Sequence, residues 1–447
     1  MMTLRWISHP ALLVAVAVAA LVAIERSAHA IEVEKVTSPG GIEAWLVEDH
    51  TNPIISMRFA FRGGAGLEPN GKEGLANLVS STMDEGAGNL DSQTFQRTLE
   101  DKSIRLRFDA GLDTFGGRLQ TLVKHKALAF RLLRLALTEP RFDEEPVERI
   151  RMQILVGLRR DEESPHTIAG RTLRRALFGA HPYGRPVDGT QASVQAISRD
   201  DLAEFVWARI ARDNLVIGIV GDISAEALGP LLDETFGKLP AKAGPWKLDE
   251  LSPATDGRTM VVEKNYPQSA IMFADKGLKR EHPDFYAAYV MNYILGGGGF
   301  TSRLYSEIRE KRGLAYSVST GLSPMDASAY LAGGAGTANA RVKETLDILR
   351  AEWTRMASGG ATEKELNDAK TYLTGAFPLR FSASSRIAGI LVGMQIARLG
   401  IDYLDRRNSL IDAVTQADVA RVAKNLLDPK RLTMVVVGKP AGVKSTP

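Results

Sequence analysis

The stretch Gly296 to Val318, GGGGFTSRLYSEIREKRGLAYSV, places a guanidinium and a phenol seven positions apart, at Arg309 and Tyr316. An arginine and a tyrosine converging on one carbonyl can hydrogen-bond it and stabilise the oxyanion of a tetrahedral intermediate. Local physics does not demand that role. An arginine near a helix C-terminus is favourable through the macrodipole, and a tyrosine in a strand is an ordinary half-buried residue. The glycines Gly296 to Gly299 invite a phosphate-loop reading, but no G-x-x-x-x-G-K-(S/T) occurs there and no acidic partner supports a dinucleotide site. They read as a tight turn with close backbone packing.

Metal chemistry can be tested by counting. Beyond residue 30 the histidines are His50, His125, His166, His181 and His282, no two within four positions of each other. Neither H-x-x-E-H nor H-E-x-x-H, which set two histidines on one helix face with a glutamate to polarise water, can be written anywhere. The chain has no cysteine, so disulfides and thiolate metal sites are excluded.

The elements that would position these residues follow from periodicity. Leu304, Tyr305 and Ile308 predict a helix over Ser302 to Lys311, closed by Gly313, with a strand emerging over Leu314 to Val318. The segment Ala196 to Gly221 matches Ala413 to Gly438 at a constant offset of 217, without a gap. In each copy an N-cap (Ser198, Thr415) is followed three residues on by an acid (Asp201, Asp418), a helix, and an apolar β-branched strand ended by glycine. Such a match points to duplication. Each half opens with strands, Glu43 to Val47 and Ile54 to Phe61 in the first, Thr259 to Val262 and Ala270 to Phe273 in the second. Helices fill the middle of both, among them Leu75 to Met83 and Glu144 to Glu162. Strands grouped with runs of helices predict an α+β fold of two homologous domains, each a mainly antiparallel sheet packed with helices. The divisions expected are 1–30 as a leader, 31–238, a Pro/Ala/Lys/Asp-rich linker over 239–257, 258–440, and a tail of 441–447.

The Gly296–Val318 phrase resembles the second-domain signature of the pitrilysin/insulinase family of zinc metallopeptidases, GGG-x-x-SRL-x-x-x-(I/V)RE-x-x-GLAY-x-V. The likeness spans about residues 31 to 440. It includes the loop His181-Pro182-Tyr183-Gly184-Arg185-Pro186 with Gly189-Thr190, which could line a chamber but reads better as a shaped turn with a structural His181. It also includes the frame Gly64 to Ala76 that precedes the family's H-x-x-E-H. Here that motif reads Asn77-Leu78-Val79-Ser80-Ser81, so Asn77 and Ser81 stand at the two histidine positions and Ser80 at the base position. The third ligand position, counted back eight residues from Pro165, falls on Gly157. The resemblance therefore implies a half clam-shell whose own zinc site is degenerate. It also implies that Arg309 and Tyr316 reach peptide held at a zinc ion. In some members the work is divided, one chain carrying the zinc and the other the Arg/Tyr pair, and this sequence looks like the second kind.

Residues 1 to 30 have the form of a secretory signal peptide: Arg5, an apolar run from Ala11 to Ile24, and Ala28-His29-Ala30 as a cleavage site. The run is short of the roughly 20 residues that span a bilayer, and no membrane span is expected after cleavage. Of 56 basic and 53 acidic residues, Arg5, Arg26 and Glu25 lie in the leader, leaving 54 against 52. That balance gives no reason to expect nucleic acid. The expectation is an exported chain, periplasmic or extracellular, with no cofactor of its own. It would pair with a homologous H-x-x-E-H-bearing subunit that holds the zinc and supply Arg309 and Tyr316 to unfolded peptide. Substrate in this family is held by strand addition to a sheet edge, and the corresponding strand here, Arg105 to Ala110, is alternating and polar. The alternative is a non-catalytic structural or peptide-binding homologue.

Overall fold

A computed structural model describes residues 31–446, so the leader read at residues 1–30 lies outside the described residues. The first half holds β1 (Glu34–Thr37), β2 (Glu43–Glu48), β3 (Ile54–Arg62), β4 (Arg105–Ala110), β5 (Thr114–Leu122) and β6 (Leu215–Gly221), in the order β1-β2-β6-β3-β5-β4. The second holds β7 (Thr259–Glu263), β8 (Gln268–Lys276), β9 (Ala315–Pro324), β10 (Ala329–Ala338) and β11 (Thr433–Gly438), in the order β7-β11-β8-β10-β9. The two sheets share one topology, the first with β1 added. All pairs are antiparallel except β2 with β6 and β7 with β11, which occupy equivalent places.

The duplicated unit is duplicated in detail. Ser198 and Thr415 both cap their helices through reciprocal bonds with Asp201 and Asp418. β5 and β10, which periodicity did not single out, are interrupted by glycines, and the structure shows why. Phe59 lies opposite Gly117 and Phe273 opposite Gly333. A Cβ on either glycine would fall 2.6 Å and 2.3 Å from the facing ring. The rings cover the bare backbone, so strand pairing proceeds without the apolar alternation that marks a strand in sequence. The helices Ala225–Phe236 and Tyr403–Asp412 likewise join those read from the sequence.

Each half has its own core. Phe59, Phe61, Phe115 and Phe236 are fully buried in the first. Trp353 stands edge-on to Phe273 in the second and donates to the buried Asp275 carboxylate at 3.0 Å. The halves are joined reciprocally: the helix Pro165–Phe178 packs on β8 and β11, and the helix Ser384–Ile396 packs on β6 and β3.

Candidate functional site

The helix Leu75–Thr82 carries Asn77, Ser80 and Ser81. No side chain from its own N-cap closes it; Glu68 does. One carboxylate oxygen accepts from Gly74 N–H at 3.1 Å and the other from Ala76 N–H at 2.7 Å. Arg185 of the His181–Pro186 loop donates to the Glu68 carbonyl at 3.0 Å. Glu68 is buried, and burial pushes its carboxyl up to about 8 against the pull of those two backbone donors.

Ser80 and Ser81 both turn their hydroxyls back onto the Asn77 carbonyl, at 2.8 Å and 2.9 Å. Among the described residues neither serine meets a histidine, so neither is an activated nucleophile. Gly157 lies on the helix Glu144–Asp161, which packs against the Asn77 helix, and a Cβ there would meet nothing within 4 Å. The fold thus brings the helices of all four positions together without their chemistry. An amide, two internally bonded hydroxyls and a glycine do not fit a zinc ion, which takes imidazole, thiolate or carboxylate. Among the described residues no group of three or more His, Cys, Asp or Glu could hold a metal.

At the second position of interest the expected helix is not regular. Arg303–Tyr305 forms one turn, and Ser306–Glu310 widens into a π-type turn in which Lys311 N–H donates to Ser306 O at 3.0 Å. Gly313, at φ 60°, then reverses the chain, with Leu314 N–H donating to Ile308 O at 2.8 Å. The result brings Arg309 and Tyr316 together. The Arg309 guanidinium lies 5.1 Å from the Tyr305 ring centre and 4.9 Å from that of Tyr316, and it donates to the Tyr305 hydroxyl. Glu307 engages Lys311 and Arg312, each at 2.6 Å, and among the described residues Arg309 has no carboxylate partner. Tyr316 is 84% exposed at the start of β9, one of the two edge strands of the second sheet. A guanidinium without a carboxylate partner, beside a projecting phenol, is an arrangement whose remaining donors can receive a carbonyl oxygen.

Sequence reasoning gave Arg303 and Glu365 no role. Arg303 sits in the SRL phrase and is buried; its Nε and Nη2 grip the two oxygens of Glu365 at 2.6 Å and 2.7 Å, and Nη2 also donates to Gly360 O. Glu365 was traceable as the fourth residue of a Thr362-x-x-Glu365 capping box, which forms. Burial pushes its carboxyl up, but hydrogen bonds from Arg303 and Thr362 outweigh this and bring it to about 2. The loop read as structural is so. His181 accepts from Tyr183 N–H at 3.2 Å, and its other ring nitrogen faces Asp249 O at 2.9 Å. The Tyr183 hydroxyl donates to Asp113 at 2.5 Å and accepts from Ala327 N–H at 2.9 Å, tying the first half to the second.

Two equivalent α+β halves with a well-formed but zinc-incompetent helix define a pseudo-peptidase. Residues 196–373 match the family model described as the peptidase M16 inactive domain. The chain is 30% identical over 335 residues to the non-peptidase homolog YmxG of Helicobacter pylori, covering 74% of this chain and 77% of that one. It is 24% identical over 401 residues to the mitochondrial-processing peptidase subunit beta of Lentinula edodes, covering 85% and 84%. The crystal structure of a peptidase M16 inactive domain from Pseudomonas fluorescens superposes with a TM-score of 0.84 at 27% identity, over 93% of this chain and all of that one. The chain belongs to the peptidase M16 family, the pitrilysin/insulinase group, in its inactive form.

Proposed function

We propose that the chain is the zinc-free subunit of an exported two-chain metallopeptidase, supplying Arg309 and Tyr316 to peptide bound at the zinc of a homologous partner. The observation that carries this is the pairing of an emptied zinc helix with an Arg309–Tyr316 corner whose guanidinium lacks a carboxylate and whose phenol is exposed. The relative named as one subunit of a processing peptidase supports a division of labour. The competing reading, a structural or peptide-binding homologue with no part in hydrolysis, is favoured by the hydrogen bond that already occupies Arg309, from its guanidinium to the Tyr305 hydroxyl.

The test is hydrolysis of an unstructured fluorogenic peptide by this chain, by its H-x-x-E-H-bearing homologue, and by the two mixed. Activity is expected only in the mixture. Arg309→Ala, or Tyr316→Phe, should lower its kcat/KM by about 10²-fold, the loss typical of one oxyanion donor, without weakening association of the chains. A homologue that is fully active alone and indifferent to this chain would establish the competing reading.

A further inference from the structure

The helices Phe285–Asn292, Ser384–Ile396 and Tyr403–Asp412, with β9, border a cavity of about 480 Å³. Neither the emptied zinc helix nor the Arg309–Tyr316 corner contributes a side chain to it. Its walls are largely apolar and aromatic, with Phe285, Tyr289, Phe377, Ile390 and Met394 among them, a lining suited to a small organic molecule. The charged residues in that lining are three arginines, Arg280, Arg380 and Arg407, and among the described residues none of the three has a carboxylate partner.

The arginines are held by neutral groups. Arg280 lies over the Phe285 ring, 4.1 Å from its centre, and its Nη2 donates to the hydroxyls of Tyr286 and Tyr403 at 3.0 Å and 3.1 Å. Burial pushes the Tyr403 hydroxyl up to about 12, so it accepts as a neutral phenol and leaves the arginine's charge uncompensated. Arg407, one turn beyond Tyr403, is 5% exposed, packs 3.8 Å from the centre of the Phe377 ring, and gives its Nη1 to Leu373 O and Asn408 Oδ1. Nε and Nη1 of Arg280, and Nε and Nη2 of Arg407, meet no acceptor among the described residues. Arg380, three residues after Phe377, is exposed. Of the acids adjacent in sequence, Glu281 is exposed and off the cavity wall, and Asp402 is held by Arg406 at 2.6 Å. A guanidinium does not lose its proton, and a buried charge is costly until it is paired.

We infer that this cavity binds a small aromatic carboxylate, its ring against the aromatic and aliphatic walls and its carboxylate received by the arginines. A neutral ligand would leave the guanidiniums uncompensated, and a bare inorganic anion would leave the apolar walls uncovered. Arginine's planar fork matches a carboxylate in shape as well as charge. The inference concerns this cavity alone and holds whether or not Arg309 and Tyr316 act in trans.

The test is calorimetric titration of the full chain with 3-phenylpropanoate, with its uncharged amide, with propanoate and with inorganic phosphate. The phenylpropanoate should bind at least about tenfold more tightly than the amide, the difference a charge-assisted pair supplies, and more tightly than either ringless anion. The double variant Arg280→Gln/Arg380→Gln should erase the preference for acid over amide. Arg380→Gln alone, at an exposed side chain, should reduce that preference about threefold, and it decides the matter if the thermal transition of the double variant shifts. Equal affinity for acid and amide, phosphate or propanoate binding as tightly as phenylpropanoate, or an acid preference that survives in the folded arginine variants would each overturn the assignment.

Discussion

Glu68 maintains the geometry of a site whose chemistry has gone. Its carboxyl group closes the N-terminus of the Asn77 helix, yet it lies among groups that disfavour its charge. Its folded pKa of about 8 stands above the usual 4.5. The favourable state is therefore the protonated one. The stability it contributes is complete below about pH 4.5 and is lost as pH rises towards 8, because the unfolded chain ionises first. Relative to Glu68→Gln, which does not titrate, the protein should lose on the order of 3 kcal/mol between pH 4.5 and 8 in denaturant unfolding. A constant difference between the two across that range would show that the backbone donors hold Glu68 ionised throughout. At this scale the sequence was legible where a motif was violated: Asn77, Ser80, Ser81 and Gly157 could be placed by frame alone. The task of Glu68 was not legible, since it depends on a turn bringing residue 68 over residues 74 and 76, which no periodicity reports.

The short helix before Gly313 shows the same division at the scale of an element. Helical spacing correctly placed Leu304, Tyr305 and Ile308 on the buried face. It gave a regular helix, however, where the chain takes a wide turn at Ser306–Glu310. The turn that precedes it is anchored from a distance in sequence: Arg303 is pinned to Glu365, on another helix, and to the carbonyl of Gly360. Removing the fork leaves a half-buried carboxylate without its partner and a gap where the buried Arg303 stood, so Arg303→Ala should destabilise the fold by about 1–3 kcal/mol. The folded pKa of Glu365, about 2, lies below its usual 4.5, so the pair's contribution is present above about pH 4.5 and is lost as pH falls towards 2. Stability of the native protein should therefore drop on acidification through that window, and that part of the drop should vanish in Arg303→Ala. Urea unfolding at a series of pH values checks both. An unchanged acid limb in the variant would mean that Thr362 alone lowers the Glu365 pKa.

Across the whole molecule the duplication read from one ungapped match extends to strand order, caps and Phe–Gly pairs. What the sequence concealed is that the halves are clasped by exchanged helices. A helix packed on its neighbour's sheet has the same amphipathic pattern as one packed on its own, so periodicity cannot assign its partner. The contact itself leaves a trace in one residue. Gly218, in the middle of β6, faces the helix Ser384–Ile396 so closely that a Cβ would lie 2.6 Å from Ala388 O and 2.8 Å from Leu391 Cβ. The helix end is tied down as well, with Arg62 donating to the carbonyls of Gln395 and Ile396 at 2.8 Å and 3.0 Å, where the helix dipole favours a cation. Even one methyl group should push this helix outward. Gly218→Ala is expected to cost about 1–3 kcal/mol through overpacking, although alanine suits a strand better than glycine when nothing opposes it. Because the contact joins the halves, the loss should appear first as local opening. Hydrogen exchange should rise along Ser384–Ile396 and β6 before it rises in the Trp353 core. Gly157→Ala, with open space around its Cβ, supplies the contrast and should stabilise its helix by about 0.5–1 kcal/mol. If Gly218→Ala proved as harmless as Gly157→Ala, close helix–strand approach would not be what unites the two halves. The polar ties between the halves, among them those of Arg62, Tyr183 and Gln395, would then carry more of the junction.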